Sequence, residues 1–144
     1  FGILSATNPV TRTNALTVSN GKALGYKVIV SQDHSPKTPS GDVIPDTACD
    51  SGDCSANKPA LWNSSLAYGF GFRCDNLSGS DCDLSFAGNS FFKPFSTSPS
   101  SQTIMSGLKG RNKKGQITYK VNISAAQPAG IYTNSLTFIA SPNF

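Results

Sequence analysis

The chain has 144 residues, of which 14% are charged, with no Glu, a single Met and a formal net charge of +4. That length suits one domain with a sizeable core. The shortage of strong helix formers beside many β-branched and aromatic residues argues against a helical protein. No stretch approaches the ~20 apolar residues that a spanning helix needs, so membrane insertion of the mature chain is not expected. The chain begins at Phe1, which fits a processed product whose leader has been removed or an arbitrary boundary alike.

In chain order, Phe1-Gly2-Ile3-Leu4 reads as a short strand. Leu16 and Val18 mark the next strand, and Tyr26, Val28 and Val30 mark its hairpin partner across Asn20-Gly21. Residues 33–60, rich in Pro, Asp, Ser and Gly, form a long irregular excursion. Leu66, Tyr68, Phe70 and Phe72 then alternate with Ala67, Gly69, Gly71 and Arg73. The glycines leave one face of that strand bare for the close approach of another backbone or ring.

Residues 74–83 form a second irregular, cysteine-bearing segment. Leu84, Phe86, Phe91, Phe92 and Phe95 suggest one or two short strands, and Ile104 to Leu108 another. The clearest run buries Ile117, Tyr119, Val121 and Ile123 and leaves Thr118, Lys120, Asn122 and Ser124 wet. A turn at Gln127–Gly130 leads to a final strand. There Tyr132, Asn134, Leu136, Phe138 and Ala140 share one face, and Thr133, Ser135, Thr137 and Ile139 the other. These short strands predict an all-β, two-sheet antiparallel β-sandwich, Ig-like or pilin-like, over residues 1–144 as a single domain with long disulfide-stapled loops.

Four cysteines, Cys49, Cys54, Cys74 and Cys82, allow three pairings. Proximity favours Cys49 with Cys54 and Cys74 with Cys82, each closing a short polar loop. The spacing matches structural zinc sites poorly. Disulfides imply an oxidising compartment, hence a secreted or cell-surface protein.

Charge is sorted along the chain. All eight acids are Asp and lie between Asp33 and Asp83, while residues 84–144 hold basic residues only. Lys109, Arg111, Lys113 and Lys114 form the densest basic cluster. It lacks the interleaved aromatics of a nucleic-acid site, so a solvated tip or a contact with another copy is the expectation. Asp46, Asp50 and Asp53, and Asp75, Asp81 and Asp83, are oxygen-rich, but their spacing does not match the twelve-residue calcium loop; they read as turn residues. No metal or other cofactor is expected.

His34 beside Asp33 is the single histidine, and no Gly-x-Ser-x-Gly elbow accompanies it. The expectation is that the chain is not an enzyme. Trp62 and Tyr68 would form a glycan platform if they faced solvent, although the alternation favours core packing. Asn63-Ser64-Ser65, Asn76-Leu77-Ser78 and Asn122-Ile123-Ser124 match the N-glycosylation triplet, which is frequent by chance in such a composition.

The ending Gln127-Pro128-Ala129-Gly130-Ile131-Tyr132-Thr133-Asn134-Ser135-Leu136-Thr137-Phe138 resembles the last strand of bacterial secreted β-sandwich surface proteins of the spore-coat-U and fimbrial-subunit kind. Leu16-Thr17-Val18-Ser19 with Gly25-Tyr26-Lys27-Val28 resembles a hairpin of such surface proteins, including those of small uncultured bacteria, and Phe1-Gly2-Ile3-Leu4 resembles their first strand. The resemblance covers about a third of the chain and implies fimbriae, coats or adhesive appendages. The expected function is a structural subunit of an extracellular filament, pilus-like appendage or surface layer. It would assemble with other copies by strand exchange through Phe1, Ile3 and Leu4, and head to tail through Lys109, Arg111, Lys113 and Lys114. The alternative is a secreted adhesin or carbohydrate-binding module for a host or cell-surface glycan.

Overall fold

The alternating segments become β1 (Val10–Val18), β2 (Gly25–Gln32), β3 (Ala60–Leu61), β4 (Gly69–Ser78), β5 (Phe91–Phe92), β6 (Gln102–Leu108), β7 (Lys113–Asn122) and β8 (Leu136–Asn143). The computed structural model describes residues 1–19, 22–83, 85–86, 88–110 and 112–144, and the described residues form no helix. The strands make antiparallel sheets: β1-β7-β4 with β7 central, β6-β2-β8 with β2 central, and the small ribbon β3-β5. Both three-stranded sheets feed one core. Val28 and Val30 of β2 and Ile104 and Met105 of β6 meet Phe70 and Phe72 of β4 and Ile117 and Val121 of β7. Phe72 stacks on Phe95 with ring centroids 4.2 Å apart, and Phe86 meets it edge-on at 5.6 Å.

β1 and β2 are not hairpin partners. β1 runs along β7, with Val10 opposite Val121 and Val18 opposite Lys113, while Tyr26 of β2 lies between Gly107 and Pro142. The long β7 ladder captures all of β1, and a central strand such as β2 needs neighbours on both sides. Asn20 and Gly21 lie outside the described residues. Phe1–Leu4 is not a strand either, because Gly2 takes a left-handed φ of 83° and interrupts the extended run.

β4 begins at Gly69, so Leu66 and Tyr68 precede it. It continues through Cys74 to Ser78, so the first part of the expected 74–83 loop is strand. Among the described residues between Phe86 and Phe95, only Phe91–Phe92 pairs as strand, and Leu84 lies outside the described residues. Tyr132 and Asn134 precede β8, although Thr133 bridges to Lys37.

Toward the end of β7 its outer face is not wet. Lys120 and Asn122 are buried there, beneath a second apolar cluster of Cys49, Ala60, Trp62 and Phe92 supplied by the excursion and the β3-β5 ribbon. The disulfides join Cys49 to Cys54 and Cys74 to Cys82, each stabilising the fold by about 2–3 kcal/mol on the loop-entropy model.

The glycine face of β4 takes the close approach that its bareness invites. Residues 45–47 run alongside, with the Thr47 amide donating to Phe70 O at 3.0 Å and the Phe70 amide to Pro45 O at 2.9 Å. A Cβ on Gly71 would lie 2.7 Å from Thr47 Cγ2 and 2.9 Å from Lys93 O. Gly71→Ala is therefore expected to cost about 1–3 kcal/mol through overpacking against backbone. Urea denaturation checks this, and an unchanged midpoint would mean that residues 45–47 do not sit against β4.

Candidate functional site

The two larger sheets are sewn together along one margin. Cys74 on β4 is bonded to Cys82, which bridges to Met105 of β6. The Asp83 amide donates to Ile104 O at 2.9 Å and the Ser106 amide to Asp81 O at 2.8 Å, so residues 81–83 line the outer edge of β6. β1 and β8 occupy the far edges of their sheets. Among the described residues, β1 pairs with β7 alone and β8 with β2 alone. Each edge strand carries a row of backbone donors and acceptors that can receive a further strand. Leu16 and Val18 of β1 and Leu136 and Phe138 of β8 pack from this margin onto the core, half-buried.

At one end of the molecule lies a groove of about 620 Å³, with Phe70, Val121 and Ile44 beneath and Phe1, Ile3 and Ile131 at its walls. One wall is fixed by side-chain bonds. Gln127 Nε2 donates to Val43 O at 3.1 Å and to the Tyr132 hydroxyl at 2.7 Å, and that hydroxyl donates to Pro128 O at 2.6 Å. The other wall is the amino-terminal segment. Its anchor is the Thr7 amide, which donates to Ile123 O at 3.1 Å. Before the anchor, the Phe1 ring meets Phe70 edge-on at 6.0 Å, Arg12 Nη2 donates to Phe1 O at 3.0 Å, and Leu4 packs half-buried on the core. Ile3 is 97% exposed. Phe1, Ile3 and Leu4 thus lie on their own chain as a covering segment without ladder pairing.

The basic cluster lies at the opposite end. Lys109 is exposed beyond β6, its amide donating to Leu24 O at 2.9 Å. Lys113 and Lys114 open β7 rather than sitting in a loop, and Lys113 Nζ stands 3.8 Å from Asp81. Arg111 lies outside the described residues.

The aspartates are dispersed among separate partners. Asp50 accepts the Asn63 and Ser64 amides, Asp46 accepts from Gln32 and Ser35, and Asp42 from Thr38 and Ser40. Asp53 pairs with Lys58, and Asp75 with Arg73. Asp83 and Asp81 are partnered by Lys93 and Lys113 of the basic half, so the charge sorting along the chain is partly cancelled in the fold. Among the described residues no three potential metal ligands converge.

Asp33 is held below the usual carboxylate range, chiefly by the Ser135 amide, with burial opposing and the His34 amide assisting. His34 turns Nδ1 to Ser35 O at 2.9 Å and Nε2 to Asp33 at 3.4 Å. No serine hydroxyl is bonded to its ring among the described residues.

Trp62 does not form a glycan platform, because it is 0% exposed. Its indole N–H donates to Ala67 O at 3.0 Å, and Phe92 packs edge-on at 5.6 Å. Lys120 Nζ sits 4.6 Å from the indole centroid and donates to Trp62 O at 2.6 Å. Tyr68 is half-buried. With Trp62 removed from solvent, Trp62 and Tyr68 do not present a shared face for a sugar to stack on. Asn122 is also buried, its amide donating to Ser65 O and Ala67 O, so of the three glycosylation triplets those at Asn63 and Asn76 carry an exposed asparagine.

Sequence reasoning missed the buried cations Arg73, Lys93 and Lys120 and the leucines exposed at strand ends, since neither feature leaves a periodic signal. No protein-family model matches the chain, and no curated protein or solved structure is detectably similar to it. Disulfides are more typical of extracellular proteins, and no described helix is long and apolar enough to cross a membrane.

Proposed function

We propose that the chain is a structural subunit of an extracellular filament, pilus-like appendage or surface layer, secreted and built as a two-sheet antiparallel sandwich of the pilin-like kind. The observation that carries this reading is the margin opposite the Cys74–Cys82 bridge. There, among the described residues, β1 and β8 each have one ladder neighbour, and a short apolar segment without ladder pairing lies at the margin's end. A strand from a neighbouring copy, laid along β1 or β8, would gain main-chain hydrogen bonds and set its apolar side chains beside Leu16, Val18, Leu136 and Phe138. Phe1, Ile3 and Leu4 are the donor's side chains. Released up to the Thr7 anchor, residues 1–6 alone reach about 20 Å. Donation in one direction gives a heterologous contact, which propagates as an open fibre.

Removing residues 1–5 is expected to abolish polymers while the circular dichroism spectrum stays that of a β protein. Electron microscopy and sedimentation velocity of the full and shortened chains provide the measurement. Polymers from the shortened chain would eliminate the donor role, and a full chain that stays monomeric at high concentration would eliminate the subunit reading.

A further inference from the structure

One end of the molecule concentrates cations and exposed aliphatic side chains. β1 and β6 end there, β2 and β7 begin there, and Leu77 stands at the bulge near the end of β4. Leu24 is 64% exposed, Leu77 55% and Leu108 81%. Leu24 and Leu108 are neighbours, since the Lys109 amide donates to Leu24 O and Gly25 pairs with Leu108. Around them stand Lys22, Lys109 and Lys114, all exposed and without a carboxylate partner among the described residues, and Lys113, which shares Asp81. Asp81 is buried at this tip, takes the Tyr26 hydroxyl at 2.6 Å and pairs with Lys113 alone among the lysines there, while Asp75, two residues before Leu77 on β4, pairs with Arg73.

This surface calls for an anionic partner. In a second copy Asp53, Asp75 and Asp83 are already paired with Lys58, Arg73 and Lys93, and among the described residues no three acids are gathered at one place to meet the lysines. A soluble polyanion would satisfy the lysines but leave three leucines in water. We infer that the tip formed by Leu24, Leu77 and Leu108 with Lys22, Lys109 and Lys114 docks on an anionic phospholipid surface. The ammonium groups lie at the phosphates and the leucines sink to the acyl boundary, so the domain lies on the bilayer without spanning it. The inference leaves the strand-exchange surfaces untouched; Lys109 and Lys114, expected from the sequence at a head-to-tail contact, face the bilayer instead.

Co-sedimentation of the full chain with vesicles tests it. Vesicles of phosphatidylcholine containing about one quarter phosphatidylglycerol are expected to bind the chain, and phosphatidylcholine alone to bind it weakly. Binding should fall steeply between about 0.05 M and 0.5 M NaCl as the Debye length shrinks. Each of Lys22→Gln, Lys109→Gln and Lys114→Gln should weaken binding about five-fold, at roughly one lysine's worth of surface attraction. Leu24→Ser, Leu77→Ser and Leu108→Ser combined should weaken it at least about ten-fold. These side chains are exposed, so an unchanged thermal midpoint certifies the fold.

Absence of binding to the anionic vesicles at low salt overturns the inference. So does a leucine variant that binds like the parent while soluble polygalacturonate competes, because a soluble polyanion is then the partner. Tip-dependent self-association without vesicle binding overturns it in favour of a second copy.

Discussion

Trp62→Ala is expected to lower the unfolding free energy by about 3–5 kcal/mol, the range for deleting a fully buried aromatic side chain. Trp62 is the largest side chain of the cluster that covers the outer face of β7, packed among Cys49, Ala60 and Phe92. Its loss opens a cavity beneath the excursion. It also removes the donor to Ala67 O and strips the ring from over Lys120 Nζ. The Phe92 ring, 5.2 Å from that nitrogen, then remains as the amine's aromatic neighbour. Trp62→Phe keeps most of the volume and should cost distinctly less. Urea denaturation with both disulfides intact makes the comparison. An alanine variant within about 1 kcal/mol of the parent would mean that the excursion does not pack on the sheet.

A second readout follows from Lys120. Burial lowers the pKa of its amine, and the carboxylate of Asp50 opposes that shift. A lysine whose folded pKa lies below its unfolded value binds fewer protons in the native state. Stability therefore rises with pH as the ordinary lysine value of about 10.4 is approached. Trp62→Ala admits water to the amine and should flatten that rise.

The inner face of β7 was legible because Ile117, Tyr119 and Val121 alternate with polar neighbours and period two has one structural meaning. The outer face was not. Lys120 and Asn122 read as solvent-facing by residue type, and their burial depends on Trp62, Ser65 and Ala67, more than 50 residues earlier. No local pattern carries that contact. Gly69 and Gly71 did announce a close approach, because a strand gives up packing and entropy to hold glycine, although the visitor's identity, Pro45–Thr47, is a tertiary fact.

Asn20-Gly21 misled, since a good turn dipeptide states only what is locally easy. β1 gains more from a nine-residue ladder with β7 than from a hairpin with β2. For the candidate site, the strand expected at Phe1–Leu4 does not form, because Gly2 takes a left-handed φ, and the apolar character of the run was what was legible. The two edges beside it were not, because an edge is defined by which strands are absent from a sheet, and strand order is invisible to periodicity.

Lys93→Met is expected to destabilise the fold by about 3 kcal/mol or more, because it leaves the partly buried Asp83 carboxylate without its cation. The Lys93 side chain is 3% exposed and Asp83 30%, with Nζ 3.0 Å from Oδ2 and 4.9 Å from the Phe86 ring centroid. The Lys93 backbone also pairs with Phe72 on both sides, so the methionine variant preserves the ladder and the aliphatic stem and isolates the charge. Burial alone would raise the Asp83 carboxyl, but the Ser85 amide and the Lys93 ammonium outweigh it and hold the group below the ordinary range.

A carboxylate depressed in the folded state contributes stability that is present above its unfolded pKa of about 3.9 and lost as pH falls through the folded value. In Lys93→Met that depression shrinks, so the gap from the parent should be widest near neutral pH and narrow as acid protonates Asp83 in both proteins. Adding Asp83→Asn to Lys93→Met removes the stranded charge and should recover a large part of the loss, since replacing both members of a buried pair is far milder than breaking it. Equal stability of Lys93→Met and the parent across that pH range, or a double variant as damaged as the single one, would show that the Lys93–Asp83 pair does not stabilise the fold.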